Sequence, residues 1–209
     1  MNRIDKKFSQ LKKKGKQAFI AFITAGYPDL ATTARLFREL EQRGVDIIEL
    51  GVPFSDPLAD GPVIQAASEY SLKKGTNLPK ILDLVKKLRK ATSLPICLMT
   101  YYNPVFCFGD KYFVDQAIAS GVDGVIIPDL PPEEAGEFIR YANKKGLANI
   151  CFLAPTSSNA RIKTISKVTK GFIYYVSLTG VTGGRKTMAA DLKTNLARIK
   201  KVTGKPVCV

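Results

Sequence analysis

Short hydrophobic runs alternate along the chain with amphipathic stretches rich in Lys, Glu, Leu and Ala. The runs contain few polar positions, as expected for strands that are covered on both faces of a parallel sheet. They occupy residues 18–24, 46–51, 95–101, 124–129, 149–154, 172–177 and 206–209. Strands that alternate with helical stretches in this way predict successive βα units.

Several of the predicted helices carry recognisable end signals. Asp29 is expected to cap a helix that stops at Gly44, and Asn77-Leu78-Pro79 is expected to open another. The predicted helices span residues 29–43, 77–90, 110–120, 132–145 and 191–202, and glycine follows the ends of most of them. Because no linker or low-complexity segment separates the units, we predict a single domain over residues 1–209.

The number of strands suits either a doubly wound sheet or a (β/α)8 barrel. A dinucleotide-binding sheet would show a glycine fingerprint after its first strand, whereas this chain has Thr24-Ala25-Gly26-Tyr27-Pro28 there. We therefore predict an α/β fold of the TIM (β/α)8 barrel type. Such barrels need about 250 residues, and this sequence ends within the seventh predicted strand. We expect the C-terminal units after strand 7 to be lacking and the sequence to be part of a longer polypeptide.

The amino-acid composition excludes several kinds of chemistry. The chain contains no His, which rules out His-based catalytic triads and His-ligated metals. Its four Cys have no C-x-x-C spacing, so neither a metal site nor a disulfide framework is predicted. No apolar run is long enough for a membrane helix, and the N-terminus lacks a secretory signal. We expect a cytoplasmic protein without membrane association.

The chain is strongly basic, with 32 Lys and Arg against 18 Asp and Glu. Lys residues are concentrated in the first 17 positions, which is a reason to consider a nucleic-acid-binding protein. The other basic residues recur as pairs at predicted helix ends and form no stripe between aromatic residues. We interpret the charge as a solvated surface and predict no nucleic-acid partner, with nucleic-acid binding as the alternative.

The strongest candidate for catalysis lies on the second predicted strand. Period-2 alternation puts Glu49 on the face of Ile47, toward the barrel interior, while Ile48 and Leu50 face the helices. Active sites of such barrels lie at the C-terminal ends of the strands. A carboxyl group buried there favours its protonated form and can act as a general acid. The alternative is a structural Glu49 that bonds to backbone or to a Lys at the strand end.

The loop after Glu49 carries a specific motif. Residues 51–62 contain three Pro and two further carboxylates, and this rigid loop can hold Asp60 over the barrel mouth. The fourteen residues 48–61, Ile-Glu-Leu-Gly-Val-Pro-Phe-Ser-Asp-Pro-Leu-Ala-Asp-Gly, resemble the signature of the tryptophan synthase alpha chain family. The resemblance continues at residues 19–28, 99–104, 128–131 and 179–183, so it covers essentially the whole chain.

This resemblance implies a carbon–carbon lyase that cleaves indole-3-glycerol phosphate to indole and glyceraldehyde 3-phosphate by a retro-aldol step. It implies that Glu49 is the acid and base of the reaction and that Asp60 binds the indole N–H group. The implied substrate-binding residues are Phe22, Thr100, Tyr174, Thr182 and Gly183. Alternation places Tyr175 on the opposite face from Tyr174. The alternative is another phosphosugar-binding barrel enzyme of aromatic amino-acid biosynthesis.

The resemblance also implies a partner, the tryptophan synthase beta chain, in an alpha-2 beta-2 complex that passes indole to the beta chain. The expected contact is the loop 53–57, through Pro53, Phe54 and Asp56. An exposed Phe54 would be a suitable anchor for a partner, and the alternative is a turn that packs Phe54 back on the barrel. Pyridoxal phosphate is expected in the beta chain, and no cofactor is expected in this chain.

Overall fold

The computed structural model describes residues 2–176 and 191–209, in which parallel strands alternate with helices. The strands of this part are β1 (Ile20–Thr24), β2 (Ile47–Gly51), β3 (Ile96–Met99), β4 (Gly124–Ile126), β5 (Ala148–Ile150), β6 (Phe152–Leu153), β7 (Ile173–Tyr175) and β8 (Val207–Cys208). The helices are α1 (Arg3–Lys13), α2 (Leu30–Gln42), α3 (Pro62–Lys73), α4 (Leu78–Leu88), α5 (Tyr102–Phe108), α6 (Asp110–Ser120), α7 (Gly136–Lys145), α8 (Asn159–Val168) and α9 (Leu192–Val202).

The strands pair in parallel and in chain order, from β1 to β5 in one hydrogen-bonded sheet and from β6 to β8 in another. The predicted strand 149–154 is divided at Cys151, because its first half pairs with β4 and its second half with β7. The Cys151 carbonyl accepts a hydrogen bond from the Tyr174 N–H group at 3.0 Å, which joins the two sheets. This order confirms the predicted TIM (β/α)8 barrel. Because β5 and β6 are the two halves of one predicted strand, β8 occupies the seventh strand position of the barrel, and the later units are lacking from the described residues.

The strands present their side chains alternately to an interior core and to an outer core, which faces the helices and consists of two clusters. One core lies inside the barrel and includes Ile47 of β2 and Ile126 of β4. The other lies between the strands and the surrounding helices and includes Ile48 and Leu50 of β2. The division confirms the predicted period-2 alternation of the second strand and fixes which of its side chains enter the barrel.

Most helix ends lie where the sequence signals them. Asp29 Oδ1 accepts a hydrogen bond from the Thr32 N–H group at 2.6 Å, and Asn77 Oδ1 accepts one from Lys80 at 3.1 Å. Helix α7 begins four residues later than predicted, because residues 131–135 form a turn in which the Ala135 N–H group donates to the Pro131 carbonyl. Helices α1, α3, α5 and α8 were not predicted. No helix within the described ranges is both long and apolar enough to span a membrane.

Helix α1 closes the N-terminal end of the barrel. Its Ile4 is fully buried in the interior core, and Phe8 packs on Phe172 with ring centroids 5.8 Å apart. Arg3 forms an ion pair of 2.9 Å with Asp123, the residue before β4. The buried residues of α1, Ile4 and Leu11, are spaced so that they lie on one face of the helix. The many Lys residues between and around them hide this amphipathic pattern in the sequence.

Candidate active site

Glu49 projects into the barrel from β2, between β1 and β3. Its partners in the strand register are Phe22 on β1 and Cys97 on β3, whose side chains share its face of the sheet. Glu49 is 2% exposed, and among the described residues its Oε1 atom has no hydrogen-bond partner. Burial raises the pKa of Glu49 from 4.5 to about 7. A carboxyl group with this pKa can both donate and accept a proton near neutral pH, and its catalytic role stays a prediction.

Asp60 lies in the loop between β2 and α3 and is 7% exposed. Burial raises the pKa of its carboxyl group, and a hydrogen bond with the Tyr101 side chain opposes this rise. Its backbone is held on both sides: its own N–H group donates to the Pro57 carbonyl at 3.0 Å, and its carbonyl accepts from Gln65 Nε2 at 2.8 Å. These contacts give Asp60 a defined position near the ends of β2 and β3.

Phe22 and Tyr174 both belong to the interior side of the barrel. The Phe22 ring lies over Gly51, where a Cβ atom would come within 2.5 Å of the ring, so glycine is required there. Tyr174 packs with the interior core and against Phe152, with ring centroids 5.2 Å apart. Burial, followed by the nearby charge of Glu49, raises the pKa of Tyr174, which keeps its hydroxyl protonated. Tyr175 lies in the outer core, as alternation predicted.

The structure does not bring Thr100 into the interior core. Its hydroxyl group donates to the Tyr101 carbonyl at 3.2 Å, and Cys97 and Met99 are the β3 side chains that belong to the interior core. The reason is the same alternation that orients Glu49: Cys97 and Met99 face inward, so the next residue faces away. Counting two positions from Cys97 along the sequence would have identified Met99.

The loop 53–57 presents a different surface from the one predicted. Pro53 is buried, and Phe54 is half-buried because its ring packs on Tyr101 with centroids 5.3 Å apart. Phe54 is therefore not fully exposed as expected, since the loop packs its ring on Tyr101 as in the alternative, and its contact with a partner stays a prediction. Asp56 is exposed as expected, and the exposed apolar side chain of this loop is Leu58, at 85%.

Two predicted substrate residues, Thr182 and Gly183, lie outside the described residues. Within the described residues, no group of three or more Cys, Asp and Glu side chains is placed to hold a metal ion. Tyr101 and Gln65 both contact the Asp60 segment, although neither was among the predicted site residues. The sequence signals them only weakly, because Tyr101 is simply a polar residue just after a strand and Gln65 is a polar residue early in a helix.

Comparison with known proteins gives a consistent result. A sequence model of the family described as "Tryptophan synthase alpha chain" matches residues 8–209. The alpha chain of Geotalea daltonii is 54% identical over all of this chain and 79% of its own length, and that of Geobacter sulfurreducens is 50% identical with the same coverage. The chain also superposes on tryptophan synthase subunit alpha from Legionella pneumophila (TM-score 0.91, 39% identity, 99% of this chain and 77% of that one). A structure of the tryptophan synthase alpha-2 beta-2 complex from Pyrococcus furiosus matches with a TM-score of 0.85 and 40% identity, over 91% of this chain and 76% of that one.

Proposed function

This chain belongs to the tryptophan synthase alpha chain family, and from that premise we propose that it cleaves indole-3-glycerol phosphate to indole and glyceraldehyde 3-phosphate. The observation that carries the proposal is the buried carboxyl group of Glu49, whose Oε1 atom has no hydrogen-bond partner among the described residues and whose pKa of about 7 suits both proton donation and proton acceptance. Such a group is expensive to bury. A catalytic role accounts for the burial of this carboxyl group.

The proposed reaction needs two proton transfers and one stabilised charge. Protonated Glu49 donates its proton to carbon 3 of the indole ring, which leaves positive charge at the ring nitrogen. The resulting carboxylate accepts the proton of the C3′ hydroxyl as the bond between the ring and the glycerol chain breaks, so the proton count balances. The carboxylate of Asp60 accepts a hydrogen bond from the indole N–H group and stabilises the positive charge.

The site residues around these two carboxyl groups define the indole pocket in this proposal. Phe22, Met99 and Tyr174 contribute apolar surface on the interior side of the barrel. Thr182 and Gly183, which lie outside the described residues, are proposed as substrate-binding residues by family resemblance alone. Because the substrate is a charged phosphate ester that a membrane retains, we place the reaction in the cytoplasm.

The partner in this proposal is a tryptophan synthase beta chain, in keeping with the alpha-2 beta-2 complex named for the Pyrococcus furiosus structure. The exposed Asp56 and Leu58 of the loop between β2 and α3 form the proposed contact, together with Phe106 of α5, which is 66% exposed. Exposed apolar side chains beside a charged one are typical of an interaction surface. The pyridoxal phosphate would then belong to the beta chain, and this chain would work without a cofactor.

Steady-state release of indole from indole-3-glycerol phosphate tests the proposal directly. We expect turnover by the purified protein that rises when a beta chain is added. Absence of indole release in both conditions would refute the lyase function and would favour a different phosphosugar-binding enzyme. Binding of a polyanion that disappears with salt, while indole release persists, would show that the basic surface is separate from the activity.

A further inference from the structure

The inward-facing residues of five strands form one row that contains Glu49. Partners in a parallel register share a face of the sheet, and the register runs from β1 to β5 through Phe22, Glu49, Cys97, Gly124 and Ala148. The row ends in two residues that have little or no side chain. The strands alone therefore leave space inside the barrel beside Gly124 and Ala148.

Ile4 of α1 fills this space. It is fully buried in the interior core, and a Cβ atom at Gly124 would come within 3.0 Å of its Cδ1 atom. A Cβ atom at Gly171 would come within 3.1 Å of its Cγ2 atom. Because Gly124 begins β4 and Gly171 lies just before β7, Ile4 enters the barrel from its N-terminal end. A helix outside the sheet thus supplies a side chain to the interior that Glu49 shares.

The cap residue of α1 holds Ile4 in this position. Asn2 Oδ1 accepts a hydrogen bond from the Ile4 N–H group at 2.9 Å. Asn2 Nδ2 donates to the carbonyl groups of Asp123 at 2.7 Å and of Gly146 at 2.9 Å, in two loops that each lead into a strand. The first turn of α1 is therefore bonded to the N-terminal end of the barrel on both sides of its cap.

The titratable side chains that face Glu49 from the other strands are uncharged near neutral pH. They are Cys97, Tyr174 and Cys208. Burial, followed by the charge of Glu49, raises the pKa of Cys97 and of Tyr174, and it raises that of Cys208 to about 12. Glu49 thus shares the interior of the barrel with neutral groups.

The charged residues of α1 and of the loops at this end lie outside the interior core. Arg3 and Lys7 form ion pairs of 2.9 Å and 3.4 Å with Asp123 and Asp46, and the other charged residues of α1 are exposed. Asp123 precedes the inward-facing first residue of β4, so alternation directs it away from the interior. Exclusion of water therefore accounts for the raised pKa of Glu49.

Building on the lyase function proposed above, we propose that Ile4 is a positioning residue that seals the N-terminal end of the barrel and keeps water away from the carboxyl group of Glu49. A smaller residue at this position would open space in the interior that Glu49 shares. That space could hold water, because Oε1 of Glu49 has no hydrogen-bond partner among the described residues. Water there would stabilise the charged form of Glu49. Ile4 itself does not touch the reacting atoms.

The first test does not depend on activity. Carbon-13 NMR follows the titration of Glu49 in protein that is labelled at the glutamate carboxyl carbons, and its signal is the one that is absent from Glu49→Gln. We expect the pKa of Glu49 to fall from about 7 in the wild type to about 6 in Ile4→Ala. An unchanged pKa would overturn the proposal, whether or not the protein is a lyase.

Leu11→Ala is the matched control. Leu11 is buried on the same face of α1, but it does not belong to the interior core of the described residues. Its truncation removes as many carbon atoms as Ile4→Ala and also weakens the packing of the helix. We expect Glu49 to keep its wild-type pKa in Leu11→Ala. An equal fall in both variants would overturn the role of Ile4, since any loosening of α1 would then suffice.

The second test is the pH dependence of kcat for indole release. Protonated Glu49 is the proposed acid, so the rate falls as the pH rises through its pKa. We expect Ile4→Ala to be about tenfold slower than the wild type at about pH 8 and within about twofold of it at about pH 5. An equal loss at both pH values would indicate a structural defect and refute the role of Ile4. A wild type that releases no indole would refute the lyase function, and the NMR titration would still decide on Ile4.

Thermal unfolding followed by circular dichroism shows whether Ile4→Ala folds. Should it fold poorly, Ile4→Val decides, because that variant removes a single methyl group from the same position. We expect a smaller fall in the pKa of Glu49, to about 6.5, and a change of the pH profile in the same direction. A pKa of Glu49 equal to that of the wild type in Ile4→Val would overturn the proposal on its own.

Discussion

Glu49 shows how burial alone can prepare a side chain for proton transfer. Its pKa rises to about 7 because water is excluded, without help from a neighbouring negative charge. Asp60 differs, since the Tyr101 bond partly offsets the effect of burial on its pKa. The proposed reaction gives the two carboxyl groups different tasks, with Glu49 exchanging protons and Asp60 stabilising charge.

We predict that Glu49→Gln lowers kcat for indole release by at least about a hundredfold, because general acid–base catalysis typically contributes about 10² to 10⁴. The amide has nearly the same shape but cannot donate and recover the proton. Steady-state kinetics measure the effect, and circular dichroism checks that the fold is retained. Turnover close to that of the wild type would remove Glu49 from the mechanism.

The same residue makes stability depend on pH. The folded-state pKa of Glu49 is raised from 4.5 to about 7, so its protonated form is favoured in the folded protein. Its contribution to stability is therefore fully present below pH 4.5 and is lost as the pH rises through about 7. Between pH 5 and pH 8 we expect the free energy of unfolding of the wild type to fall by roughly 2–3 kcal/mol relative to Glu49→Gln, at about 1.4 kcal/mol per pKa unit.

Urea denaturation of both proteins at several pH values measures this difference, and the comparison cancels the other titrating groups. Parallel pH profiles of the two proteins would contradict the prediction, because they would show that folding does not raise the pKa of Glu49.

For Asp60→Asn we predict a smaller loss of kcat than for Glu49→Gln, on the order of tenfold, since charge-assisted hydrogen bonds are about twice as strong as neutral ones. The amide oxygen can still accept from the indole N–H group, but it stabilises the positive charge poorly. Kinetics of Asp60→Asn and Glu49→Gln under the same conditions give the comparison. A rate equal to the wild type for Asp60→Asn would contradict the charge argument.

At the scale of elements, a buried charge network joins α1 to the body of the barrel. Asp123 is 3% exposed and accepts from Arg89 Nη2 at 2.6 Å, from Arg3 Nη1 at 2.9 Å and from the Ile96 N–H group at 2.9 Å. Arg89 also donates to the carbonyl groups of Gly121 and Leu94. The network connects the start of α1, the end of α4 and the starts of β3 and β4, so it fixes the N-terminal end of the barrel.

We predict that Asp123→Asn lowers the free energy of unfolding by about 3 kcal/mol, because it leaves the buried Arg89 without its counter-charge. Arg3→Ala is the matched comparison, since Arg3 is 43% exposed and pairs with the same carboxylate. An exposed pair contributes about 1 kcal/mol or less. Urea denaturation at pH 7 measures both variants. Equal losses of free energy of unfolding in the two variants would show that Asp123 stabilises the protein mainly by anchoring α1, and not by neutralising the buried charge of Arg89.

At the scale of the whole molecule, the barrel places its chemistry and its proposed partner surface at the same end. The loop between β2 and α3 contains both the exposed Asp56 and Leu58 and the buried Asp60. The opposite end is closed by α1 and the Asp123 network. The proposed partner surface and Asp60 therefore lie on one short loop, at the end of the barrel opposite to α1.

We predict that Asp56→Ala reduces the activation of indole release by the beta chain more than it reduces the rate of the chain alone, by about fivefold or more in the activated rate. A charged residue at the rim of an interface mainly affects association with the partner. Pro53→Ala is the contrast, because Pro53 is buried and its loss should lower both rates together. Titration of each variant with the beta chain distinguishes the two patterns. Equal effects of Asp56→Ala on both rates would place Asp56 in the active site.

The sequence by itself determined the features that depend on near neighbours in the chain. Alternation oriented Ile47 and Glu49 inward, and side-chain caps and glycines marked the ends of α2, α4 and α6. These signals are local, because strand periodicity and helix capping involve residues only two to four positions apart. The motif around Asp60 was also recognisable from the sequence, since its prolines restrict the backbone directly.

Only the tertiary structure decided what the chain brings together from distant positions. The division at Cys151 arises because one strand pairs first with β4 and then with β7. The burial of α1 depends on contacts with residues more than 100 positions away. Phe54 packs inward because Tyr101, from the next βα unit, offers its ring, and the hydroxyl group of the same tyrosine accepts a hydrogen bond from the Ala59 N–H group. Whether a side chain is buried, and which residues it contacts, depends on segments that are distant in the sequence and meet only in the folded protein. No local pattern encodes this.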